Sequence, residues 1–166
     1  CSGTCTRTHV WYNGLMFEGV VEELVALSDH ALTERVEMLE LRRRSTEAEL
    51  VAAVAVAEAR RLHTADGHRS MIGFLRASLN WSTTEANRFL GLSRAVDEIA
   101  GLGRAWFAGR FGAPQALVIS RAHGNPRVRE QLATAAPVLL DHAEQLPYSD
   151  FTRTVDHFVR LADRDG

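Results

Sequence analysis

Between Ser70 and Ile99 the chain reads SMIGFLRASLNWSTTEANRFLGLSRAVDEI, which places apolar residues at helical spacing on both sides of a tight turn. Ser70 is suited to cap the first helix, whose apolar surface is Met71, Ile72, Phe74, Leu75 and Leu79. Trp81 lies in the turn. Ser82-Thr-Thr-Glu85 has the spacing of a capping box, in which the Ser82 hydroxyl accepts from the Glu85 N–H and the Glu85 carboxylate returns to Ser82. On a 3.6-residue period the second helix buries Ala86, Phe89, Leu90, Ser93, Val96 and Ala100 and presents Thr84, Asn87, Arg88, Gly91, Arg94 and Glu98 outward. A helix-turn-helix-like pair of this kind demands further helices to cover its apolar faces.

The remaining sequence offers helices and little else. Ala, Leu, Glu and Arg, all good helix formers, dominate, and Pro occurs only 4 times in 166 residues. No set of segments alternates apolar and polar residues as strands do, and no run approaches the roughly 20 apolar residues of a membrane span. Helices are expected over about Phe17–Leu27, His30–Leu62, Arg104–Arg110, Pro114–Ala122, Pro126–Glu144 with a kink at Pro137, and Asp150–Ala162. Gly101 and Gly103 read as breaks between helices, and Gly67 as a left-handed stop ending the long one. The expectation is an all-α, multi-helix domain over residues 16–166, with one long helix and the helix-turn-helix-like pair. Residues 1–15 have no helical period and are expected to be a disordered leader.

Charge is distributed unevenly. Residues 1–59 carry 5 Arg against 10 acids, residues 60–129 carry 11 Arg against 4 acids, and residues 130–166 carry 3 Arg against 7 acids. A basic middle between acidic flanks suits a polyanion; equally, the flanking helices can neutralise it. All 19 basic residues are Arg. Codon usage in a GC-rich genome explains that blandly, although the Arg fork also fits phosphate and guanine. The triple Arg42-Arg43-Arg44 is expected on a solvated helix face, with Glu40 and Glu47 at salt-bridge spacing.

The two Cys, Cys1 and Cys5, stand together at the N-terminus and leave the rest of the chain cysteine-free, as expected of a cytoplasmic protein. Cys1, Cys5 and His9 are spaced like zinc ligands, but a structural zinc wants four and no fourth is evident. No phosphate loop, metalloprotease or nucleophile-elbow motif occurs. His123 with Asn125, Asp141-His142 and Asp156-His157 invite a one-metal nuclease reading, yet none has a strand context and each is more simply a helix-surface or cap residue. No catalytic residue, metal or cofactor is therefore assigned, and no enzymatic activity of this chain is expected. The candidate nucleic-acid-binding set is Thr84, Asn87, Arg88 and Arg94 facing base edges and Arg69 and Arg76 holding phosphates, with double-stranded DNA as the partner and no membrane.

Gly67-His68-Arg69-Ser70, Phe74-Leu75, Ser82 to Arg88, Ala108-Gly109-Arg110-Phe111-Gly112, Gln115-Ala116 and Leu161 to Gly166 together resemble the actinobacterial domain-of-unknown-function family 222, also called the thirteen-E-twelve repeat family. The resemblance runs from about Leu24 to the end. It implies the helical N-terminal region of an HNH-endonuclease-type protein, with the nuclease domain absent here and the chain a truncated part of a longer protein. The function so implied is a DNA-binding accessory module without catalytic residues of its own. The alternative is a helical protein-interaction or structural scaffold, in which the Arg side chains are held by carboxylates. Oligomeric state and DNA target stay open.

Overall fold

In a computed structural model, backbone is described over residues 6–163 and side chains over 16–163. The helices are α1 (Thr6–Val25), α2 (Asp29–Ala59), α3 (Leu62–Ala65), α4 (Met71–Leu79), α5 (Thr83–Glu98), α6 (Leu102–Phe107), α7 (Ala113–His123), α8 (Arg129–Gln145) and α9 (Tyr148–Ala162), with no strand among the described residues. The protein is all-α, as its sequence leads one to expect. None of the described helices is long and apolar enough to cross a membrane.

Two compact units divide the chain, residues 1–40 and residues 41–166, and the boundary falls inside α2. No punctuation in the sequence marks it, because a helix carries its backbone hydrogen bonds across the boundary without a turn. In the first unit, α1 begins at Thr6, within the stretch read as a disordered leader; two isolated Gly, at 14 and 19, cost about 1 kcal/mol each but do not stop a helix. Cys1 and Cys5, and with them the zinc spacing, lie outside the described residues. The α1–α2 turn is closed by Leu27 N–H to the Leu24 carbonyl (3.2 Å), and the Ser28 hydroxyl accepts from Ala31 N–H (3.3 Å).

The second unit holds the core. Helix α7 is buried on most of its circumference, through Ala113, Ala116, Val118, Ile119, Ser120, Ala122 and His123. It packs on α5 and α9, while α8 covers α6, α7 and α9. Trp106, Phe111 and Phe151 are the largest side chains at the centre, with Leu92, Leu102 and Leu132 around them. A smaller cluster of Val54, Met71, Leu75, Ala86 and Leu90 ties α2, α4 and α5 together, and Trp81 packs against both clusters.

Several boundaries differ from the sequence-based expectations. The long helix stops at Ala59 rather than Leu62, because Arg61 turns left-handed (φ 52°) and only the short α3 follows; Gly67 (φ 77°) is a second stop. An L-residue in this region is strained by about 1–2 kcal/mol, and Arg61 is exposed without an ion pair among the described residues. Arg61→Gly is therefore expected to raise stability by about 1 kcal/mol, measured as a higher urea midpoint at unchanged slope. Helix α8 starts at Arg129 rather than Pro126, since the Asn125 side chain accepts from Arg127 N–H (3.1 Å) and holds a turn first. Pro137 lies inside α8, where it has no N–H to donate to the Ala133 carbonyl. Gly103 does not break the chain; it sits within α6.

Candidate functional site

The α4–α5 pair is built by caps. Ser70 Oγ accepts from Gly73 N–H (3.1 Å), Asn80 ends α4 in the left-handed region (φ 54°), and Ser82 Oγ accepts from Glu85 N–H (3.0 Å). Only half of the expected capping box forms. The Glu85 carboxylate turns instead to Arg88, taking Nε (3.1 Å) and Nη2 (2.9 Å) in a two-pronged contact. A charge-assisted fork of this kind is stronger than a bond to one neutral N–H. At the corner, Trp81 lies against Phe89 with ring centroids 4.4 Å apart, and the Arg88 guanidinium covers the same Phe89 ring at 4.9 Å.

Burial along α5 follows the expected stripe with three changes: Leu92 and Ala95 join the interior, Val96, expected inside, is only half-buried, and Ala100, also expected inside, is exposed. The reason is that α5 ends at Glu98, so the helical period no longer governs Ala100, while α6 and α7 cover the added face.

The six candidate residues fall into two sets. Arg69, Arg76, Thr84 and Asn87 are exposed, and neither Arg69 nor Arg76 has an ion pair among the described residues. Arg88 and Arg94 are engaged. Besides Glu85, Arg88 bonds Glu47 of α2 (3.2 Å), and Arg94 bonds Glu58 of α2 (2.9 Å). Burial lowers the Arg88 pKa, but the hydrogen bond and charge of Glu85, reinforced by Glu47, outweigh it and hold the guanidinium above its ordinary value.

The same pattern recurs through the second unit. Arg110 pairs with Asp141 (2.8 Å) and Glu144 (2.6 Å) of α8; their hydrogen bonds, Glu144 foremost, raise its pKa. Arg127 reaches Asp163 (3.5 Å), which also accepts from Asn125 (3.0 Å). Glu98 holds His123 Nε2 (2.9 Å) and lies 3.8 Å from Arg129, whose Nε donates to the His123 carbonyl (3.3 Å). The Arg42–Arg44 run is only partly a solvated face. Arg43 makes the expected pair with Glu47 (3.3 Å), whereas half-buried Arg44 donates to the Gly109 carbonyl (2.9 Å).

The Ala108–Gly112 motif is thus architectural. Gly109 (φ 77°) makes the left-handed turn, Arg110 ties the loop to α8, Phe111 is buried, and Gly112 precedes α7 as its N-cap. Sequence reasoning missed its partner Arg44, 65 residues away, because no local spacing connects them. The Arg110 partners were more accessible, as Asp141 and Glu144 sit one turn apart on one helix face.

The pairs that invited a nuclease reading are dispersed. Asn125 and His123 serve the contacts just described, Asp141 belongs to Arg110, and Asp156 and His157 are both exposed on α9. No group of three or more His, Cys, Asp or Glu among the described residues is arranged to hold a metal.

No curated protein and no solved structure matches the chain. The sequence pattern of the family described as a domain of unknown function, DUF222, matches residues 30–166, which is most of the chain and includes every Arg–carboxylate contact above, so the protein belongs to that family.

Proposed function

We propose that this domain is a helical scaffold for protein interaction, serving as the accessory region of an HNH-nuclease-type protein. The observation that carries this reading is where the basic charge goes. Four Arg of the basic stretch 60–129 reach carboxylates supplied by the acidic flanks: Arg88 to Glu47, Arg94 to Glu58, Arg110 to Asp141 and Glu144, and Arg127 to Asp163. Charge held in this way fixes helices to one another and leaves less of it for a polyanion. The nuclease association comes from the family resemblance alone.

A second reading, duplex DNA binding, is favoured by the exposure of Arg69, Arg76, Thr84 and Asn87 around the α4–α5 corner. Titration of a fluorescent duplex at several salt concentrations separates the two. The scaffold reading expects no salt-dependent association near physiological ionic strength. It also expects Arg88→Ala with Arg94→Ala to lower the urea midpoint, by about 1 kcal/mol in stability. The DNA reading expects binding whose logarithmic salt slope falls by about 1.8 in Arg69→Ala with Arg76→Ala, since each lost phosphate contact removes about 0.9. That second outcome overturns the scaffold assignment.

A further inference from the structure

The first unit, residues 1–40, shows no buried side chain among its described residues, 16–40, although the stretch is rich in large apolar side chains. Phe17 is 69 % exposed, Val25 79 % and Val36 60 %. At helical spacing, Phe17, Val20, Val21 and Leu24 form one stripe on α1, and Leu32, Val36 and Leu39 form another on α2. Near the turn the two helices leave a groove of about 330 Å³, lined by Val20, Leu24, Leu27 and Leu39 together with Glu23 and Arg35. An apolar surface of this continuity is costly to leave in water and marks a docking site.

Charge selects the occupant. Residues 16–40 contain seven carboxylates and one Arg. Glu18, Glu22, Glu23, Glu34 and Glu37 are all exposed beside the apolar stripes. A second copy of the same hairpin would bring two strongly acidic surfaces together, which disfavours self-association. A helix with its own apolar stripe and Arg or Lys along the edges satisfies both features: the stripe enters the groove as a third helix, and the cations meet the carboxylate rims. We infer that the α1–α2 hairpin is a docking site for a basic amphipathic helix of a partner protein. This deepens the scaffold reading by naming the chemistry of its partner.

The test uses the full chain and a fluorescent 18-residue peptide with Leu at i, i+3, i+4 and i+7 and Arg on the flanking positions. Two control peptides keep the composition scrambled, or keep the stripe and replace Arg by Glu. Association of the Arg peptide on the order of micromolar is expected, weakening several-fold between low and physiological salt. Val36→Asp with Leu39→Asp, both at exposed positions, should weaken it ten-fold or more, on the order expected for loss of anchor residues. Glu34→Lys with Glu37→Lys should also weaken it and remove the salt dependence. Circular dichroism of each variant checks that helix content is kept. Absence of binding, equal binding of the Glu-flanked peptide, or binding unchanged in the Asp variant overturns the proposal. A dimer by sedimentation that the Asp variant dissociates also overturns it, in favour of a second copy. Failure here leaves the scaffold reading standing or falling on the duplex titration, which does not involve this hairpin.

Discussion

Trp106→Ala is expected to destabilise the second unit by about 3–5 kcal/mol, the range for truncating a large aromatic in a core. Trp106 is 0 % exposed and sits on α6 among Leu102, Phe111 and Leu139 of the same core cluster. Its removal strips contacts from several helices at once, and the hole is too deep for a surface loop to fill. The indole Nε1 is buried with no hydrogen-bond partner. An orphaned N–H of that kind costs about 1–3 kcal/mol. Trp106→Phe discards the N–H along with part of the ring, so its loss should be well under half that of Trp106→Ala. Urea unfolding followed by circular dichroism reads both. If Phe and Ala substitutions cost the same, the N–H has a partner and the packing account of this site is wrong.

The contrast between what the sequence discloses and what it hides follows from the range of the interactions. The α4–α5 pair was legible because caps and helical periods are local: Ser70, Ser82 and the Ala86–Phe89–Leu90–Ser93 stripe each involve residues within a few turns. How far the acidic flanks reach the basic stretch is not legible locally, because the pairs join residues far apart in sequence. Arg88 finds Glu47 across 41 positions and Arg94 finds Glu58 across 36. For the candidate site this divides the six residues, leaving Arg69, Arg76, Thr84 and Asn87 in solvent and engaging Arg88 and Arg94. The division between the units was the least legible feature, since α2 runs through it without a breaker. The place of Gly103 is hidden for a related reason: a Gly in a short helix looks like a stop until the neighbouring helix is in view.

That neighbour makes Gly103→Ala the second large expected effect. In a helix interior, Gly→Ala ordinarily stabilises by up to about 1 kcal/mol. Here a Cβ on residue 103 would lie 2.7 Å from Val96 Cγ1, closer than carbon atoms can approach. Val96 is β-branched and lies on α5, where one χ1 rotamer is strongly preferred, so it cannot swing aside cheaply. The α5–α6 contact must open or Val96 must leave its rotamer. The net change is expected to reverse sign, to a loss of about 1–3 kcal/mol, as for other overpacked sites. Val96→Ala removes the obstructing methyl groups and costs little by itself because the side chain is only half-buried. In the double variant most of the loss should return, giving a coupling of at least about 1 kcal/mol in a double-mutant cycle. Additive losses would mean that α6 does not rest on α5 through this contact. A stabilised Gly103→Ala single variant would mean that the two helices stand further apart than the 2.7 Å approach requires.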